Sequence, residues 1–341
     1  MSVLPYSVVS EPKLSFDREI PSPHFPLPRT QAPNWSAMQT DWELLEDRLT
    51  KIRRFQRTLA QPTFVEGFGF WTGEDIRVEF RPAESNAGIV FVRTDLDGEP
   101  RIPALVHYRE AKARQTSLAI GNVRVDMIEH LMAALAAMRI DNCEVWVDGP
   151  EMPGMDGSAA PFYNALHKAG TKEQKAFRPV RIVQEPFRIG NDQSYIIARP
   201  SASFETIYRY HLNFERCGAI GTQDYTFLFS SDSFAQDIMH CRTFLTKEEA
   251  EGLLSMGLCK RVTHKNVLVF DEYGPIGNTL HFPNECARHK VLDMVGDFAL
   301  APFDWIGEFD AHCSGHQLNA DCVKRMILKG NNISKQERNA A

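Results

Sequence analysis

Long apolar runs are missing from this chain: none approaches the roughly 18 residues that would span a bilayer, so no integral membrane segment is expected. The N-terminus has no basic stretch followed by an apolar one, so no export signal is expected there. The seven cysteines (143, 217, 241, 259, 286, 313 and 322) contain no C-x2-C pair. An odd, scattered set fits free thiols in a reducing compartment better than a disulfide framework. Together these absences predict a cytoplasmic protein. A positive excess is lacking too: the net charge of −6 argues against a broad nucleic-acid face, which the phosphate backbone would require to be basic. Neither G-x-G-x-x-G nor a P-loop occurs, so no nucleotide cofactor is implied.

What is present is an ordinary globular composition, 43% hydrophobic and 24% charged, over 341 residues, enough for one large or two medium domains. Residues 1 to about 40 are rich in Pro and Ser and show no periodicity, so they are not expected to build a core. Residues 41–55 space Trp42, Leu45, Leu49 and Ile52 as an amphipathic helix would. Strands follow at 76–80, 88–93 and 143–147, with helices at 127–139 and 159–169. A second block opens near Pro179. It holds strands at 180–188 (an edge, given Pro186), 195–199, 205–214, 224–229 and 266–270, and helices at 246–256 and 287–300. A last helix is expected from near Asn319 to before Gly330, and the final residues as a frayed tail. Strands in hairpin-like groups, interspersed with helices, favour α+β over a doubly wound sheet.

Within this frame His289 and Asp293 stand four residues apart, one helical turn, on a face where both can reach one ion. A lone H-x3-D is more often a surface ion pair. Here Asp297 extends the stripe by another turn, while Leu292, Val295, Phe298 and Ala299 give the helix an apolar side. A polar stripe on so apolar a helix fits a lined cavity as readily as solvent. His130, preceded by Glu129, opens a second amphipathic stretch. Two histidines and one carboxylate are a common zinc set that leaves a position for water, with a nearby Glu as base. That combination points to a zinc hydrolase.

Several longer words then resemble one family. They are Ile128-Glu-His-Leu-Met-Ala-Ala-Leu135 leading to Ile140-Asp-Asn142, Met155-Asp-Gly-Ser-Ala-Ala-Pro-Phe162, and Arg242-Thr-Phe244. Arg288-His-Lys-Val-Leu-Asp293 with Gly296-Asp297, and Ser314-Gly-His-Gln-Leu-Asn319, continue the series. In this order they resemble the UDP-3-O-acyl-N-acetylglucosamine deacetylases, which perform the committed step of lipid A synthesis. The resemblance runs over about residues 55 to 328. It implies two α+β domains, each a sheet with helices, packed helix face to helix face with the active site between them. Residues 55–175 and 176–330 would be those domains, 1–54 an extension and 331–341 a tail.

By the same resemblance His130, His289 and Asp293 would hold Zn2+, and Glu129 would be the general base; on sequence alone Glu129 reads equally well as a first-turn helix carboxylate. His316 would stabilise the oxyanion or protonate the leaving amine, kept charged by Asp297. Thr243 would donate to the oxyanion, Phe244 would stack on the sugar, and Lys290, pointing away from its helix neighbours, would reach substrate oxygens. Phe70 and Val262 would line the substrate site. Their ordinary alternatives are a strand-end threonine, core packing and a solvated lysine. Asp156 and Ser158 are expected to fix a turn. The partner implied is a UDP-linked acylated amino sugar, met by a monomer.

The chain departs from the family pattern in four places. Phe70-Trp71 stand where an aliphatic residue and a histidine are usual; Arg261 and Val262 replace glycines of the acyl-binding insert; Cys313 replaces a cation, for which His312 or Arg261 could substitute; and the N-terminal extension is unusual. Bulk at the insert should narrow the acyl passage. Because the departures fall on substrate-binding positions, another acylated or nucleotide-linked amino sugar is the alternative substrate. A non-catalytic ligand-binding homologue is a third reading, against which the retained Glu129 and ligand set count.

Overall fold

The computed structural model describes residues 53–339, with side chains described to 328. A five-stranded mixed sheet runs in the order Thr63–Phe68, Asp75–Pro82, Cys143–Val147, Ile89–Arg93, Arg101–Pro103. Its alternation is that of a half-buried sheet: Ile76, Val78 and Phe80 turn inward on one strand, Cys143, Val145 and Val147 on another. A second sheet runs Phe187–Gly190, Tyr195–Arg199, Asp304–His312, Thr206–Phe214, Gly221–Leu228, with Val180–Ile182 joined in parallel to Asp304–Ile306.

Between the sheets lie helices. Ala160–Ala169 packs on the first sheet and against Glu129–Ala137; the latter packs on Glu285–Phe298, which covers the second sheet. This is the α+β arrangement expected. Nearly every residue of Glu129–Ala137 is buried, as befits a helix with core on all sides. At the helix crossing a Cβ on Gly296 would lie 2.1 Å from the Glu129 carbonyl oxygen, so only glycine allows this approach. A parallel pair, Phe244–Thr246 and Leu268–Phe270, is joined through Lys247–Ser255, a helix opened by a Thr246–Glu249 capping box. Among the described residues no helix is long and apolar enough to cross a membrane.

Several expectations are corrected. The helix expected over 41–55 lies outside the described residues as far as 52, and Phe55 instead opens strand Phe55–Leu59, paired antiparallel with Thr171–Phe177. The strand expected over 180–188 is two strands, interrupted before Phe187; Pro186 precedes an edge strand, where its missing N–H breaks no ladder. The last helix begins at His316 and continues past Gly330 to Asn339, because one glycine costs a helix only about 1 kcal/mol and no proline follows it. Helix Ser231–Asp237 was not anticipated; its start is a Ser230–Ser233 capping box, too short for a periodic signal.

Candidate active site

The stripe His289, Asp293, Asp297 is buried, not solvated: relative exposures are 2%, 3% and 0%. Burial of so many polar groups requires that each have a partner. His289 Nδ1 lies 3.0 Å from the Cys241 carbonyl oxygen, to which it donates, leaving Nε2 with a free lone pair. That Nε2 is 3.4 Å from Asp293 Oδ1, and His130 Nε2, from the facing helix, is 3.7 Å from the same oxygen. The three ligand atoms fall within 4.8 Å of one another.

Protonation states suit a cation. Burial drives the His289 imidazole down to about 3, so it is neutral. Burial would raise the Asp293 carboxyl, but the Lys290 ammonium beside it outweighs that and holds it well below the usual range. Two imidazoles and one carboxylate are a donor set for a divalent metal of the zinc type. The lysine is a correction. Lys290 does not point away from its neighbours but donates from Nζ to Asp293 Oδ2 at 2.8 Å, an i,i+3 pair that leaves Oδ1 free for an ion.

Glu129 stands outside the ligand set. Its Oε2 accepts the Thr116 main-chain N–H at 2.9 Å, and its Oε1 is 4.0 Å from His316 Nε2. Burial raises its carboxyl above the ordinary value, partly opposed by His316 and His130, which moves it towards the range of a general base. The His316 imidazole is raised to about 9: burial opposes the charge, but Asp297, 3.0 Å from Nδ1, outweighs it. Asp297 is in turn held by Thr116 Oγ1 and by Asn319 Nδ2 at 2.8 Å. Thr116 and Asn319 complete the cluster; Asn319 ends one of the family words, but neither residue is given a role by sequence alone.

One cavity of about 1000 Å³ gathers Glu129, His130, His289, Asp293, His316, Lys290, Thr243, Phe244, Phe70 and Val262 on its wall. Asp297 stands behind His316, off that wall. Thr243 is placed by its main chain, donating to Gly157 and accepting from Leu268. Asp156 and Ser158 form the expected turn, the Asp156 carboxylate accepting both the N–H and the hydroxyl of Ser158. Trp71 also lines the cavity, among apolar groups that include Phe214, Leu253, Val267 and Ile276.

Neither stand-in for the missing cation at Cys313 faces the cavity. His312 stacks on Tyr195, with ring centroids 5.2 Å apart. Arg261 donates to the Gly73 carbonyl and to Asp75 Oδ1, both at 2.7 Å, and its guanidinium lies 4.5 Å above the Phe68 ring. Cys313 itself borders an adjoining pocket shared with Phe244, Lys290 and Ser314. Two arginines outside any motif also line the cavity: Arg114 and Arg216 reach the same Glu249 oxygen, at 3.1 and 2.9 Å.

A family model described as UDP-3-O-acyl N-acetylglycosamine deacetylase matches residues 56–328. Among curated relatives, the UDP-3-O-acyl-N-acetylglucosamine deacetylase of Anaeromyxobacter sp. (strain Fw109-5) is 37% identical over 273 residues, covering 80% of this chain and 88% of the relative. The enzyme of the same name from Myxococcus xanthus (strain DK1622) is 37% identical over 273 residues, covering 80% and 86%. That of Coxiella burnetii (strain CbuK_Q154) is 34% identical over 273 residues, covering 80% and 90%.

Proposed function

Since the chain belongs to the UDP-3-O-acyl-N-acetylglucosamine deacetylase family, we propose that it is a zinc amidohydrolase whose ion is held by His130, His289 and Asp293, with Glu129 as base and His316 as acid. It is a deacetylase of lipid A biosynthesis, removing the N-acetyl group of a UDP-linked, 3-O-acylated glucosamine. The observation that carries the reading of the site is the buried His–His–Asp cluster with a base and a charged imidazole beside it but outside it. When bound, zinc supplies a Lewis acid that polarises the amide carbonyl and makes water nucleophilic near neutral pH.

The chain's own residues do the rest. Glu129 takes a proton from the attacking water as the new C–O bond forms. Thr243 donates to the carbonyl oxygen as it gains charge. His316 gives its proton to the amine nitrogen as the C–N bond breaks, so acetate and a free amine leave. Lys290 fixes the Asp293 carboxylate, and Phe244 presents a ring to the sugar. Arg114 and Arg216 offer guanidinium groups on the cavity wall to the diphosphate. In this reading residues 55–175 and 176–330 are the two domains, the site lies between them, and the enzyme works as a cytoplasmic monomer. Acetate release from the acylated UDP-sugar by zinc-loaded protein is the direct test; no release from folded, metal-bound protein would reject it.

His316 sets the alkaline side of the pH profile. A group whose protonated form is active loses activity as pH rises through its pKa. The kcat is therefore expected to fall at or somewhat below pH 9, since a bound divalent cation opposes a second positive charge. In His316→Gln that limb should vanish and kcat drop by about 10²–10⁴; a basic limb unchanged in the variant would remove His316 from the acid role.

The insert sets acyl length. Val262 lines the cavity, and Arg261 ties the insert to Gly73 and Asp75. Shorter acyl chains are expected to be preferred, and Val262→Gly should improve kcat/KM for longer ones roughly tenfold, the worth of about one methylene in an apolar pocket. A profile across acyl lengths that does not change with Val262 would contradict this.

A further inference from the structure

Thr116 lies just ahead of the short strand Ser117–Ile120 and is 1% exposed. All three of its hydrogen-bonding groups are committed. Its main-chain N–H donates to Glu129 Oε2 at 2.9 Å, its hydroxyl donates to Asp297 Oδ1, and its carbonyl accepts the Ile128 N–H at 3.2 Å. We infer that Thr116 is a positioning residue for the reaction, fixing the base through its main chain and the partner of the acid through its side chain. This rests on the roles assigned above to Glu129 and His316.

The geometry explains why a hydroxyl is required. Asp297 is wholly buried, and its Oδ2 already accepts from His316 Nδ1 at 3.0 Å and Asn319 Nδ2 at 2.8 Å. Only a donor on Oδ1 fixes the remaining rotation of the carboxylate, and with it the tilt of the His316 ring. That tilt is what brings Nε2 to 4.0 Å from Glu129 Oε1. Thr116, Glu129, His316 and Asp297 thus form a closed ring, and the groups that receive and deliver the proton are both referred to one residue. The hydroxyl also keeps the charge on Asp297 solvated inside the core.

Thr116→Val keeps the shape and the main-chain N–H and removes only the hydroxyl. In the zinc-loaded full chain, kcat on the acylated UDP-sugar should fall about 10- to 100-fold, the cost of a small misplacement of reacting groups, with KM within about twofold and bound zinc unchanged. Thr116→Ser, which restores the donor, should return kcat to within about threefold of wild type. Should the valine variant not fold, Ala against Ser, both smaller than Thr and differing by the hydroxyl, gives the same comparison.

A second readout needs no turnover. With 15N-labelled histidine, the His316 Nδ1 proton should exchange with solvent faster in Thr116→Val than in wild type or Thr116→Ser. Unchanged kcat without the hydroxyl, a loss confined to KM, a serine variant as poor as valine, or unchanged exchange would each overturn the inference. If wild type itself released no acetate, the functional reading would fail, while the exchange measurement would still decide whether Thr116 places Asp297 and His316.

Discussion

Glu129→Ala is expected to lower kcat by about 10²–10⁴, the usual worth of a positioned general base, while the protein keeps its metal. The dissociation of those two quantities is the point. Glu129 is adjacent in sequence to His130 and 4% exposed, yet it lies outside the ligand set: its Oε2 is occupied by the Thr116 N–H and its Oε1 faces His316. Removing it should therefore leave the three ligands undisturbed. Acetate release measured beside metal content per chain decides the matter. A variant retaining more than a tenth of wild-type kcat, or one losing its metal, would remove Glu129 from the role of base.

The second large effect belongs to the ligands. His289→Ala is expected to lose bound metal on dialysis and activity with it, while remaining folded, because a neutral imidazole leaves no stranded charge behind. Asp293→Ala should lose metal too but also destabilise the fold. Its carboxylate is what balances Lys290, a quarter exposed, and breaking such a pair costs up to about 3 kcal/mol, the lower end for buried pairs. Thermal unfolding of the two variants beside metal analysis separates the effects. Full metal retention by His289→Ala would place the ion elsewhere.

The candidate cluster was legible in the sequence where it follows helical spacing. His289, Asp293 and Asp297 share one face because they are one turn apart, and Glu129 and His130 enter the same cluster because their helix packs on that face. Lys290 was misread although the i,i+3 rule contains the answer: proximity to a buried carboxylate outweighs the direction its side chain would take in isolation. Thr116 could not be found this way. Its bonds to Glu129 and Asp297 reach 13 and 181 residues along the chain, from a segment with no periodicity of its own. Arg261 is similar, since its partners at Gly73 and Asp75 belong to a distant hairpin. The fold class was readable from grouped strands and amphipathic helices. The pairing of Phe55–Leu59 with Thr171–Phe177 was not, because nothing local marks a strand's partner across that separation.

Gly296 has a consequence for how this enzyme can change. Where it crosses Glu129 the two helices meet backbone against backbone, with no side chain between them. The offset between the helix bearing Glu129 and the helix bearing His289 and Asp293 is therefore set at this point by main-chain atoms and not by the size of a side chain. Core residues around the crossing can be exchanged while the reacting groups keep their spacing. The fixed point lies in the scaffold, and the cavity wall, at Trp71 and Val262, is left free to drift with the substrate.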